Sequence, residues 1–178
     1  VLAWRTLDLT TAEHNAFMGS FAELLKDHHN ARLQMALWRG LRDVALMLPL
    51  VDDTTRGRAE LRQRVENGER FTDDELSEGA RVDPGLSYAR YNQHIRADRD
   101  AAAIEILLRQ SAIEGGLGEA SRWSGWRRAL ARNKMRAGEP DLAYRIASTH
   151  QMIEGSAYSD LEWLSGYIAL RYLEQPEL

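Results

Sequence analysis

Three observations predict an all-α fold for this chain. Its apolar residues recur at the three- and four-residue spacing of a helix, and no segment alternates long enough to make a strand. Helix-start chemistry stands ahead of several of these runs. A layout of helix end, tight turn and helix start recurs along the chain.

The elements follow in order. Thr10-Thr11-Ala12-Glu13 fits a capping box, in which a Thr hydroxyl and a Glu carboxylate satisfy the free N–H groups of a helix start. Phe17, Phe21, Leu24 and Leu25 then fall at spacings that place them on one face. His28-His29-Asn30 breaks this helix, and Ala31 to Arg39 forms the next, ended by Gly40. Asp43 to Val51 forms a third, and a charged helix covers Thr54 to Asn67. A second capping box, Thr72-Asp73-Asp74-Glu75, opens a short helix that ends near Asp83-Pro84-Gly85. Pro84 suits the first turn of the following helix, where a missing N–H costs nothing. That helix runs to about Arg96. Asp100–Ile113, Glu119–Ala137, Pro140–His150 and Ala157–Leu173 complete the chain.

The repeated layout is carried by Arg39 to Ala45, Arg96 to Ala102 and Ala137 to Ala143. Each reads as a helix end, a turn, an Asp in the next first turn and a small Ala on the buried side. The Asp complements the positive helix N-terminus. LEQPEL, from Leu173 to Leu178, reads as the start of a fourth copy. The copies stand about 57, 41 and 36 residues apart, and the last two separations suit two-helix repeats. Helix pairs stacked as an α-α superhelix, a TPR-like solenoid over residues 1–178, are therefore expected. A chain that stops in mid-repeat reads as a piece of a longer protein. Its terminal pair would bare an apolar face, so self-association of the isolated segment is expected as well.

Composition narrows the function. With 44% hydrophobic and 28% charged residues the chain belongs with folded domains rather than disordered ones. A net charge of −4 supplies no global basic field for nucleic acid, so none is expected as a partner. The absence of cysteine excludes disulfides and thiolate metal sites. No apolar run approaches the ~20 residues of a transmembrane helix. The opening, VLAWRTLDL, lacks the basic and apolar regions of a secretory signal.

Chemistry-bearing residues are sparse. His14, His28, His29, His94 and His150 have no metal-ligand spacing and read as surface or helix-end histidines. Asp52-Asp53, Asp73-Asp74-Glu75 and Asp160 with Glu162 read as first-turn acids rather than as a catalytic carboxylate pair. Gly115-Gly116-Leu117-Gly118 is a loop between helices, because a phosphate cradle follows a strand. Trp38, Trp163 and Tyr167 fall on apolar stripes and are expected to pack between helices. One segment offers a contact surface: Arg122, Trp123, Trp126, Arg127 and Arg128 combine cations with aromatic rings. That combination suits a glycan with pendant carboxylates or a partner protein. The alternative is an amphipathic helix with core aromatics and solvated cations. No catalytic, cofactor-binding or metal residue is expected.

The segments ARNKMRAGEPDLAYRIASTH and YSDLEWLSGYIALRYLEQPE, with DPGLSYARYNQHIR and WRGLRDVALMLPLV upstream, resemble the superhelical region of the soluble lytic transglycosylases. In that family a stack of helix pairs precedes a lysozyme-like domain. That domain cleaves murein between N-acetylmuramic acid and N-acetylglucosamine and leaves a 1,6-anhydro end. The family's Glu-Ser pair and Gly-Leu-Met-Gln stretch have no counterpart here, so no catalytic residue carries over. The resemblance implies a non-catalytic scaffold segment in the periplasm, with the catalytic domain beyond residue 178 and peptidoglycan strands as partners. The competing reading is a free-standing helical-repeat module for protein–protein interaction.

Overall fold

Thr10 opens the first long helix by reciprocal capping. Its N–H and hydroxyl donate to the Glu13 carboxylate at 2.8 and 2.7 Å, and its hydroxyl accepts from the Glu13 N–H at 3.3 Å. Side chains also cap the helices that begin at Asp53, Glu78 and Pro84 in the computed structural model, which describes residues 1–178 and contains no strand. The all-α expectation holds. No helix is long and apolar enough to cross a membrane. The chain forms two compact units, Val1–Asn67 and Gly68–Leu178.

The first unit comprises α1 (Leu2–Thr6), α2 (Thr11–Leu25), α3 (His29–Arg39), α4 (Val44–Met47) and α5 (Asp53–Glu66). Helix α3 buries His29, Arg32, Leu33, Ala36 and Leu37, the stripe that a 3.6-residue period brings onto one face. Gly40 ends it in the left-handed conformation at φ 65°, where glycine has no Cβ to clash. Helix α2 departs from the predicted face. Its backbone leaves the helical range at Phe21, directly after Gly19-Ser20, a pair that favours kinks. The kink breaks the period, so Phe21 and Leu24 are exposed while Leu25 is buried.

Asp43 is the larger correction. The repeated layout places it in the first turn of a helix with Ala45 on the buried side, but Asp43 is itself buried and Ala45 exposed. The chain makes a further turn between Gly40 and α4, which swings Asp43 inward. There its Oδ2 accepts from Arg32 Nε at 2.9 Å and lies 3.3 Å from His14 Nδ1. Arg32 also donates to the carbonyls of Trp4 and Leu7 at 2.6 Å each and stands over the Trp4 ring. His29 lies 3.1 Å from the Leu50 carbonyl. Thus His14 and His29 are buried, where surface or helix-end histidines are expected, although His29 does stand at the start of α3.

The second unit contains α6 (Glu78–Arg81), α7 (Pro84–Arg96), α8 (Asp100–Ser111), α9 (Ser124–Arg136), α10 (Pro140–Ser148) and α11 (Ser156–Ile168), which widens into a π-turn over Ala169–Leu173. The predicted second capping box closes a short 3-10 turn, Asp73–Glu75, rather than a longer helix. Asp83 caps α7 by accepting from the Leu86 N–H at 2.9 Å, with Pro84 at the first position as expected. One core joins α7 to α11, including Tyr91, Ile104, Leu107, Trp123, Leu130, Ile146, Leu161, Leu164 and Ile168.

Two turns in this unit are copies of each other. After α7, Asp98 takes φ 53° and Arg99 takes −101°, 61°; after α9, Gly138 takes φ 79° and Glu139 takes −113°, 61°. The Arg99 N–H bonds the His94 carbonyl and the Glu139 N–H bonds the Lys134 carbonyl, both at 3.0 Å. Ala103 and Ala143 follow at the same place and are both fully buried. The two turns share one geometry, in a register one residue off the sequence alignment, which pairs Ala102 with Ala143.

Candidate functional site

The segment expected to make contacts divides sharply. Trp123 is fully buried against Tyr88 and Tyr91, with ring centroids 5.1 and 4.9 Å apart, and donates its indole N–H to the Leu117 carbonyl at 2.9 Å. Arg127 is only 1% exposed. It donates to the Ile146 carbonyl at 3.0 Å, to Thr149 Oγ1 at 3.3 Å and to Ser111 Oγ at 2.6 Å, tying α8, α9 and α10 together. Burial pushes its guanidinium down to about 10, against a smaller opposing influence of Tyr91. These two residues hold the fold and present nothing to a ligand. Arg122 and Trp126 are exposed, and Arg128 pairs with Asp160 on α11.

The acids are equally committed. Asp52 caps α5 through the Thr55 N–H at 2.9 Å. Glu162 accepts from His150 Nε2 at 2.8 Å; His150 Nδ1 accepts from the Met152 N–H at 3.0 Å, which fixes the tautomer of this buried ring. The four-residue stretch at Gly115 is an interhelical turn, as expected, with Leu117 turned into the core.

Helix α11 carries what the sequence hid. Trp163 and Tyr167, expected to be interhelical, are 64% and 36% exposed. Their rings stack with centroids 5.3 Å apart and planes 9° from parallel, and Tyr172 meets Tyr167 edge-on at 5.9 Å. Leu170 extends the same outward face. The core is held instead by Leu161, Leu164 and Ile168 on the opposite side. Asp160, the partner of Arg128, lies one turn before Trp163, so this cation borders the aromatic platform.

A second feature lies beside α7 and α8. A cleft of about 460 Å³ is lined by Arg90, Arg99, Arg109, His94 and Asp73, among others. Asp73 comes from the capping turn and bridges the two helices. Arg90 Nη2 donates to its Oδ1 and Arg109 Nη1 to its Oδ2, both at 2.6 Å. Burial is the largest single influence on this carboxyl and raises it. The hydrogen bonds and charges of Arg90 and Arg109 outweigh that and hold it below the usual carboxylate range. His94 is pushed down by burial and then by the charges of Arg99, Arg90 and Arg70, so its ring is neutral at neutral pH. Arg90 Nη1, Arg99 Nε and Nη2, Arg109 Nε and Nη2, and His94 Nδ1 are buried without a protein partner. An unmet buried polar group costs about 1–3 kcal/mol, so this concentration calls for an explanation.

The sequence reading missed the cleft, although a signal existed. Arg90 lies about eight residues before the turn at Asp98–Arg99 and Arg109 about ten after it, and in an antiparallel helix hairpin such positions fall near each other. Nothing local marks Asp73 as their partner. Comparisons with protein-family models, curated proteins and solved structures found no match for the chain.

Proposed function

We propose that this chain is the non-catalytic scaffold segment of a periplasmic peptidoglycan lytic transglycosylase, built from helix pairs stacked as a TPR-like superhelix. The observation that carries the reading is the exposed Trp163–Tyr167 stack. With Trp163 64% exposed, the stack leaves ring surface open to solvent for the C–H face of a sugar, and aromatic residues with one wet edge serve such contacts well. Arg128 at its border supplies a cation for the pendant carboxylates of murein peptides. The duplicated turns at Asp98 and Gly138 support the repeat architecture, as does the resemblance of the segments around them to the soluble lytic transglycosylases. The commitment of Asp52, Asp73, Asp160 and Glu162 to caps and ion pairs supports a role in holding rather than cutting.

Leu170 and Tyr172 continue the stripe and favour a second reading, an interaction module that lays this face against an apolar patch of a partner protein. Cosedimentation with purified sacculi separates the two. The scaffold reading expects the chain to sediment with sacculi, the Trp163→Ala/Tyr167→Ala double variant to stay in solution, and no anhydro-muropeptides to be released. Equal sedimentation of chain and variant would end the glycan reading, and release of anhydro-muropeptides would end the non-catalytic one.

A further inference from the structure

The geometry points to a binding site for a phosphate-bearing small molecule in the cleft between α7, α8 and the Thr72 capping turn, with Arg90, Arg99 and Arg109 as its anion ligands. This site is separate from the α11 platform and does not depend on the murein reading.

The argument starts from charge. Arg70, Arg90, Arg99 and Arg109 line the cleft against only two acids, Asp73 and Glu105. Asp73 is internal to the arrangement: it uses one oxygen on Arg90 and the other on Arg109, and so orients both guanidinium groups. Once that carboxylate is saturated, excess positive charge remains at the wall. Like charges are not gathered into a partly buried cleft without an anion to offset them.

The donors fit the same conclusion. Arg90 is 5% exposed, and its Nη1 has no protein partner. Nor do the Nε and Nη2 atoms of Arg99 and Arg109. The ligand these donors suit has several acceptor oxygens in three dimensions and more than one negative charge. A tetrahedral phosphate meets both requirements; a planar monocarboxylate offers two oxygens and one charge. The cleft volume of about 460 Å³ falls within the range of small-molecule pockets, and Phe71, Ala102 and Ile106 give part of its wall an apolar character. These residues suit the organic body of a phosphate monoester.

His94 supplies an internal reporter. Burial lowers the His94 ring first; the charges of Arg99 in the turn, Arg90 on its own helix and Arg70 ahead of the cap lower it further, against the opposing Asp73 carboxylate. A dianion among those arginines cancels the field, so occupancy raises the His94 pKa.

The test uses the full chain in phosphate-free buffer, titrated with inorganic phosphate or acetate by calorimetry, with His94 followed by NMR. Expected are saturable phosphate binding, an upward shift of the His94 titration with phosphate, and weak or absent binding of acetate. Arg99→Gln, at a half-buried position, is expected to weaken phosphate binding about tenfold or more while the fold stays intact by circular dichroism. Lys134→Gln, on the surface of α9, is expected to bind as the parent does. Phosphate binding no tighter than about 10 mM would overturn the site. Unchanged affinity in folded Arg99→Gln would overturn its location. Acetate binding as tightly as phosphate would overturn the ligand class. A phosphate monoester binding more tightly than inorganic phosphate would support the role of the apolar wall; weaker binding would remove it.

Discussion

Trp163 and Leu164 are neighbours in the chain, a little over a quarter turn apart on α11, and meet different surroundings: the first is 64% exposed and the second 1%. The helix thus has two apolar stripes, and only the one through Leu161, Leu164 and Ile168 meets the core. Trp163→Ala should therefore change stability by no more than about 0.5 kcal/mol, as an exposed substitution does. Leu164→Ala should cost about 2–5 kcal/mol through lost burial and the void it leaves. Urea denaturation of the two variants checks this; a larger loss for Trp163→Ala would mean that the platform is covered.

Arg127 and Arg128 form a second adjacent pair with opposite fates. Arg127→Ala removes the bonds to Ile146, Thr149 and Ser111 and opens a void at the junction of α8, α9 and α10. A loss of roughly 3 kcal/mol is expected. Arg128 is partly exposed and pairs with the half-exposed Asp160, so Arg128→Ala should cost less than about 1 kcal/mol. Denaturant midpoints separate the two; equal losses would contradict the burial of Arg127.

Asp43 holds a buried cation in the first unit. Asp43→Asn removes the charge opposite Arg32 while keeping the shape, and an unmatched buried charge costs about 3–5 kcal/mol. Arg32→Met in the same background should recover part of that loss, because the two residues act on each other. Additive losses in a double-mutant cycle would show that the pair is not coupled.

These contrasts mark what the sequence could and could not carry. Capping boxes were readable because they are local: Thr10 with Glu13 and Thr72 with Glu75 fall within four residues of each other, and Pro84 marks a first turn by itself. The end of α3 at Gly40 was readable for the same reason. The core side of α11 was not, because periodicity reports that a stripe is apolar, not whether another helix covers it. Asp43 defeated the reading because the extra turn after Gly40 leaves no mark in composition. The arginine cleft joins residues from a capping turn and two helices, and only their relation across the hairpin would have announced it.

The paired turns give a backbone prediction. Gly138 and Asp98 occupy the same left-handed position, and a Cβ at Gly138 would meet nothing within 4 Å. Gly138→Ala should then cost about 1–2 kcal/mol from conformation alone. Gly138→Asn should cost less, because a short polar side chain tolerates this region. Asp98→Gly should be neutral or stabilising. Thermal melts rank the three; an Ala no worse than Asn would show that the turn can relax out of the left-handed region.

Asp73 makes the cleft acid-sensitive in a predictable direction. Its carboxyl is held below the ordinary value of about 3.9, so its ionised form stabilises the fold above that pH. The contribution is lost as pH falls through the folded-state value, when the proton removes the bridge and leaves Arg90 and Arg109 facing each other. Glu13 and Glu75 are lowered by hydrogen bonds from the cap residues Thr10 and Thr72, and Asp52, itself a cap, by those from Thr55; all three act in the same direction, so the parent melt alone does not isolate Asp73. The comparison with Asp73→Asn can. The variant should melt below the parent near neutral pH, and the gap should narrow as the pH falls through the folded-state value of this carboxyl, where the parent too loses its charge. A gap that stays constant over that range would show that Asp73 acts through its shape and not through the charge it places between the two arginines.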